Sequence, residues 1–367
     1  MSTPFHRPVT HPESARNVQH LVGDPDALLR KEFTKSCEAW FEQRYPGYRA
    51  FMTTSCTRAL ELAALSIDIR PGDEIILSPY NYVGVANAFA NYGAKLVFVD
   101  VDPATMNIDA RAIEAAITDR TRAVLAMHYG GVGCDMRTIL DVCQRHDVLC
   151  IEDAALSIGA TLNGQPLGSF GDISAISFDS MKNITCGEGG VLLVQERFVP
   201  TVEVAFENGT DKRAFERGQV PAYTWTARGS KFALSEFNAA VLLPLLENEE
   251  RITRERRARW DALYDALAAS DFFSPMLPNA LRDGEHNGHV FWLLAPSRAE
   301  RDELLTALTA AGVPAAFHYQ VLDGGQEVPR AADLADRVVR LPVHHIEDVV
   351  RAVERIMASV EGTIPEA

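Results

Sequence analysis

Lys182 stands in FDSMKNITCGEGG (178–190), between an apolar run and a cluster of glycines. A lysine there is either a solvated surface charge or a nucleophile for an aldehyde, if its surroundings hold it neutral. Asp153 closes the run VLCIEDAA (148–155). A carboxylate in that position caps the next helix, or faces a site and holds a cationic ring nitrogen. Ser55, Cys56 and Thr57, in TTSCTRALELAAL (53–65), directly precede a helical pattern. Their amides and hydroxyls make an ordinary N-cap or a seat for phosphate. Tyr80 and Tyr82 follow another strand end in SPYNYVGVANAF (78–89), where rings either pack in a core or stack on a planar molecule. Ser177 ends its own run and donates to a phosphate, or to nothing in particular.

Each signal is weak alone. Together they supply a phosphate cradle, a stacking ring, an acid for a pyridinium nitrogen and a lysine for an aldehyde. Those are the requirements of one cofactor, pyridoxal phosphate. Asp153 would keep its ring nitrogen protonated, and Lys182 would form the resting Schiff base and later move the proton. The glycines of CGEGG then permit positive φ in a tight turn beside the cofactor, although a plain hairpin uses them as well.

The elements that must position these residues are legible as alternating runs. EIILSP (74–79), KLVFVDVD (95–102), RAVLAMHY (122–129), VLCIEDAA, ISAISFD (173–179) and GGVLLV (189–194) are short and mostly non-alternating, as strands covered on both faces should be. Helical patterns such as DARAIEAAI (109–117) and DMRTILDVCQRH (135–146) lie between them. The alternation predicts an α/β fold with a mainly parallel sheet between helices, and a site at the carboxyl ends of its strands. After about residue 240 the character changes. Residues 242–270 predict one long helix, followed by a strand (289–296), a helix (297–312) and a strand (313–322). The expected division is a large cofactor-binding domain over 1–242 and a smaller α/β domain over 243–367.

Composition narrows the functions. The 367 residues are 47% hydrophobic and 23% charged, with a formal charge of −15. That charge argues against a nucleic-acid or anionic-membrane surface. Six scattered cysteines without a C-x-x-C pair fit a reducing cytoplasm and give neither a metal site nor a disulfide framework. The polar start MSTPFHRPVTHPES is not expected to be a signal peptide, and no apolar run approaches the ~20 residues needed to cross a bilayer.

Over nearly its whole length the chain resembles the DegT/StrS sugar aminotransferases, in the fold-type I group of pyridoxal-phosphate enzymes. The stretches PFHRP, PGDEIILSPYNYVGVANAF, FVDVDPATMNID, AMHYGG, IEDAA, SFDSMKNITCGEGG, FHYQVL and VVRLPV fall in that family's order. Residues 207–240 resemble the dTDP-4-amino-4,6-dideoxygalactose transaminases, in which L-glutamate gives its amino group to the C4 ketone of a dTDP-4-keto-6-deoxy sugar. The resemblance implies that Lys182 is the Schiff-base lysine and Asp153 the pyridine-nitrogen partner. It implies cofactor contacts from Ser55, Cys56, Thr57, Ser177 and the stacking Tyr82, and substrate contacts from Tyr80, His318 and Tyr319. It further implies a homodimer with shared active sites, in which Lys231 takes the place of an asparagine that reaches the neighbour's phosphate.

Some positions depart from the family. Leu156 replaces a Gln or His that bonds the cofactor's phenolic oxygen, and Asp179 stands where a histidine is usual. Val321, Leu322 and Asp323 replace a Pro-Leu-His run. These departures leave open a transaminase for another keto-sugar or a cyclitol, or a cofactor-binding regulator without turnover. A sugar dehydratase is disfavoured, because such relatives replace the lysine.

Overall fold

The structure is a computed structural model that describes residues 5–282, 284–322, 324–344, 349–351, 354 and 356. Its centre is a seven-stranded sheet of β1 (Tyr48–Thr53), β2 (Glu74–Leu77), β3 (Lys95–Phe98), β4 (Thr121–Met127), β5 (Leu149–Asp153), β6 (Ile173–Ser177) and β7 (Gly190–Gln195). The order across the sheet is β1-β7-β6-β5-β4-β2-β3. All neighbours are parallel except those of β7, which runs antiparallel to both β1 and β6. β2 and β6 are buried at every position, which explains their apolar, non-alternating sequences. The α/β class with a mainly parallel sheet between helices is the observed fold.

Three elements differ from expectation. DARAIEAAI forms two 3₁₀ turns, Ala110–Ala112 and Glu114–Ala116, rather than an α-helix. The long helix over 242–270 is two helices, Glu236–Glu247 and Glu249–Ala268, divided at Asn248. Pro244 has no N–H for the carbonyl of Ala240, and Asn17 Nδ2 donates to that carbonyl instead, at 3.1 Å. Asn248 Nδ2 donates back to the Pro244 carbonyl at 2.8 Å and closes the turn. The expected boundary at 242/243 falls inside the first of these helices. Finally, 313–322 does not form a strand and makes only an isolated bridge, Ala316 to Arg340. The small sheet pairs β8 (Phe291–Leu294) antiparallel with β9 (Val338–Leu341).

Candidate active site

The carboxyl ends of β5 and β6, the carboxyl end of β1 and the amino end of β7 meet at one edge of the sheet. There Gly190 is paired with Thr53 on one side and Ser177 on the other. A Cβ on Gly190 would lie 2.5 Å from Cys56 N and 2.6 Å from Ser55 C, so only glycine lets β7 run this close to the following helix. That helix, Cys56–Ser66, starts at Ser55, whose Oγ accepts from Arg58 N at 3.2 Å. Ser55 is therefore an ordinary N-cap as well as a wall residue. The amides of Cys56 and Thr57 are left without helical acceptors and face the same edge.

A cavity of about 610 Å³ opens here, and its wall includes Ser55, Cys56, Thr57, Tyr82, Asp153, Ser177, Lys182, His318 and Tyr319. The fold thus gathers nine of the eleven residues singled out from sequence. Tyr80 is not among them. It is fully buried behind the wall, its ring 5.8 Å from that of Tyr319 and its hydroxyl bonded to the His318 carbonyl. Lys231 is also absent from the wall of its own chain; its ammonium pairs with Glu207 at 3.4 Å.

Asp153 is 2% exposed. Its Oδ1 accepts from Ala155 N at 3.1 Å, so a second oxygen remains for a ligand. Burial raises the pKa of its carboxyl, opposed by the Ala155 amide, Lys182 and His128. The preceding Glu152 fixes this strand end. It accepts from the amides of Gly168, Phe170 and Gly171 at 2.7–2.9 Å and contacts His128 Nε2 at 2.9 Å. Because the Cys134 amide donates to His128 Nδ1, that imidazole is protonated on Nε2 and donates to Glu152.

Lys182 is carried by the loop between β6 and β7. Its amide donates to the Asp179 carbonyl at 2.9 Å, and Asp179 Oδ1 accepts from Met181 N at 2.9 Å. Burial lowers the pKa of the ammonium, with Cys56, Asp153 and Asp179 acting in the opposite direction. Gly187 takes φ +88 in the turn that follows, whereas Gly190 is required for close approach. Tyr82 precedes the helix Val83–Ala90 and is 53% exposed. Gly84 makes room for its ring: a Cβ there would sit 2.6 Å from Tyr82 Cε1 and 2.8 Å from Thr57 Oγ1.

Sequence reasoning missed several wall residues, namely Phe5, His6, Arg256, His289 and Arg340. Phe5, His6, and Arg340 lie within stretches quoted above, but nothing in spacing marks them as functional. His6 is held near pKa 4 and His318 near 3, by burial first and then by Arg256 and Arg340 respectively, so both are neutral. Leu156 lines the cavity. Val321 and Leu322 are half-buried, and Asp323 lies outside the described residues.

The model of the DegT/DnrJ/EryC1/StrS aminotransferase family matches residues 18–361. The chain belongs to that family. It is 31% identical, over 353 residues, to the spore coat polysaccharide biosynthesis protein SpsC of Bacillus subtilis, covering 88% of this chain and 90% of that one. The aminotransferase TlmJ of Streptoalloteichus hindustanus superposes with a TM-score of 0.84 at 25% identity, covering 97% and 100% of the two chains. PseC of Helicobacter pylori, an aminotransferase of pseudoaminic acid biosynthesis, shares the fold with a TM-score of 0.86 at 20% identity, covering 98% and 100%. The protein is a fold-type I aminotransferase, and its cofactor is pyridoxal phosphate.

The residues present fit that cofactor. The Gly190 approach leaves a cradle at two uncommitted amides, and Asp153 keeps one oxygen available. Among the described residues no group of three metal-ligating side chains occurs, and no helix is long and apolar enough to cross a membrane.

Proposed function

We propose that the enzyme moves an amino group from L-glutamate to the C4 ketone of a dTDP-4-keto-6-deoxy-hexose, giving a dTDP-4-amino-4,6-dideoxy sugar. The observation that carries the transamination chemistry is the burial of Lys182 and Asp153 together on the wall of one cavity. The likeness of residues 207–240 to the dTDP-sugar transaminases supports the substrate, as do the polysaccharide and pseudoaminic acid roles named for SpsC and PseC.

Bound pyridoxal phosphate supplies an aldehyde and an electron-poor ring that stores the electron pair left at the amino-bearing carbon. Lys182 Nζ, held toward neutrality by burial, takes the proton from that carbon of the donor and returns one at the sugar's C4. The uncommitted oxygen of Asp153 holds the proton of the ring nitrogen. The Cys56 and Thr57 amides, with the Ser55, Thr57 and Ser177 hydroxyls, receive the phosphate at a helix N-terminus. Tyr82 covers the ring face and excludes water, while His318 and Tyr319 line the sugar's side. Tyr80 acts from behind, holding the His318 carbonyl.

A homodimer sharing its sites agrees with the exposure of Tyr82, Val83 and Met181 near the mouth and of Tyr223 and Trp225 beyond it. Lys231 then serves the partner's phosphate. The proposed division remains a large cofactor unit over 1–242 and a smaller C-terminal unit over 243–367, with the cytoplasm as the proposed location. A cyclitol or another keto-sugar is the second reading, favoured by Val321 in place of the family's Pro.

The test is to incubate purified holoenzyme with glutamate and a panel of nucleotide keto-sugars and cyclitol ketones, and to identify products by NMR. A C4-aminated dTDP sugar is expected. Amination of a cyclitol alone would replace the first reading by the second, and no amination would reject both.

A further inference from the structure

Three carboxylates stand on the cavity wall: Asp153, Asp179 and Glu188. Asp153 is reserved for the ring nitrogen, and Glu188 is exposed in the glycine turn. Asp179 is half-buried and held from several sides. The preceding Phe178 is fully buried; its amide donates to the Gly189 carbonyl at 2.8 Å, and its carbonyl accepts from Thr185 Oγ1 at 3.0 Å. The Asp179 amide donates to Ser177 Oγ at 3.3 Å, and its Oδ1 accepts from Met181 N at 2.9 Å. Its Oδ2 has neither a hydrogen bond nor an ion pair among the described residues. A carboxylate has room for about four hydrogen bonds, so this one comes to the cavity largely unused.

The same residue holds the lysine. Its carbonyl accepts the Lys182 amide at 2.9 Å. Burial lowers the pKa of the Lys182 ammonium, and the charge of Asp179 is among those that oppose it. The carboxylate therefore lies near the carbon on which Lys182 acts. His6, held near pKa 4 chiefly by burial, is neutral and does not cancel that charge. In a 4-keto-6-deoxy-hexose the ketone carbon has two ring neighbours. C5 carries the methyl group and the ring oxygen, and C3 carries the one adjacent hydroxyl. A hydroxyl that donates to a carboxylate makes a shorter and stronger bond than one to a neutral oxygen.

Resting on the function proposed above, we propose that Asp179 is a specificity-determining residue whose Oδ2 accepts the C3 hydroxyl of the keto-sugar. Donor and acceptor enter the same cavity in turn, and a carboxylate treats them oppositely. It attracts a polyol and repels the two carboxylates of glutamate, so the donor's acid groups turn away from this wall. The class of acceptor follows: a ketone flanked by a carbon that bears a free hydroxyl.

Two unreactive ligands separate this role from a structural one. dTDP-6-deoxyglucose has no ketone and keeps the C3 hydroxyl; dTDP-3,6-dideoxyglucose lacks both. Calorimetry with wild-type holoenzyme should show the first binding about 10- to 100-fold more tightly than the second. Asp179→Ser keeps an oxygen for the Met181 amide but has none to spare, and should bring the two affinities within about 3-fold of each other. Asp179→Asn, with the same shape and no charge, should fall between. In turnover both variants should raise the keto-sugar concentration required, Asp179→Ser by about 10-fold or more, and leave the loss of cofactor absorbance with glutamate nearly unchanged. No C3 discrimination in wild type, or the same discrimination in the variants, overturns the assignment and leaves the aminotransfer reading standing. An equal loss in the glutamate step makes Asp179 an ion partner of Lys182 instead, and overturns it too. If wild type binds neither dTDP ligand, the nucleotide-sugar reading falls and this inference with it.

Discussion

Asn183, the residue after Lys182, accepts a hydrogen bond from His289 Nδ1 at 2.8 Å. The direction is fixed because Asn183 Nδ2 donates to the Asn287 carbonyl at 3.2 Å, which leaves its oxygen facing the imidazole. His289 is kept neutral by burial and then by Lys182 and Arg256, so Nδ1 carries its one proton and Nε2 is bare. The loop that carries the lysine is thereby tied to the segment that leads into β8.

Breaking this tie should be felt in stability. Asn183→Leu leaves a buried imidazole N–H and a buried carbonyl unpaired, at about 1–3 kcal/mol each. His289→Phe removes one end of the same bond. A double-mutant cycle by urea unfolding of the cofactor-free protein should show a coupling above about 0.5 kcal/mol. Strict additivity would mean that the contact contributes nothing.

Asp153→Asn keeps the shape of the side chain and removes its charge. A turnover loss of at least about 100-fold is expected, comparable to removing other electrostatic stabilisers. The cofactor-free variant should be no less stable than wild type at pH 7, because burial raises the pKa of this carboxyl and its charged form is the disfavoured one. Turnover near wild type would reject the assignment of Asp153 to the ring nitrogen.

Lys182 gives a pH signature. Burial lowers its pKa from the ordinary 10.5, so between its folded value and 10.5 the unfolded chain binds more protons than the folded one. Stability must then rise with pH across that window, by at most about 1.4 kcal/mol per pH unit for one proton. In cofactor-free protein, the advantage of Lys182→Met over wild type should shrink as pH climbs toward 10.5. A difference that stays flat would place the lysine in contact with water.

The strands were legible because burial on both faces writes a continuous apolar run, as in EIIL and ISAIS. β1 was not, since YRAFMT carries the exposed Arg49 and pairs with a strand far along the chain. The break at Asn248 was hidden because the carbonyl freed by Pro244 is satisfied from Asn17, more than two hundred residues away. Lys182 and Asp153, each ambiguous alone, do lie together on the wall of one cavity. Tyr80 and Tyr82 could not be told apart by their place at strand ends. Ser78 Oγ accepts the Tyr80 amide and Asn81 Oδ1 the Tyr82 amide, and these local bonds turn one ring into the core and the other to the cavity. Arg340 meets Phe5 and Ala316 through contacts that no local pattern encodes.

Lys231 decides whether the sites are shared. Its ammonium pairs with Glu207 and does not reach the cavity of its own chain, so any service to a phosphate has to be given to a second copy. A two-fold axis makes that contact reciprocal, and each dimer then holds two identical composite sites. A single ammonium near a phosphate contributes to retention more than to chemistry. Lys231→Ala should therefore lose cofactor on dialysis, while saturating pyridoxal phosphate largely restores its rate. Mixing Lys231→Ala with Lys182→Ala under conditions that exchange subunits, without added cofactor, sharpens the test. In a mixed dimer one site carries both lesions and the other carries neither, so activity should reappear from two poor parents. Subunit exchange confirmed by mass spectrometry, with no recovered activity, would show that each chain builds its site alone.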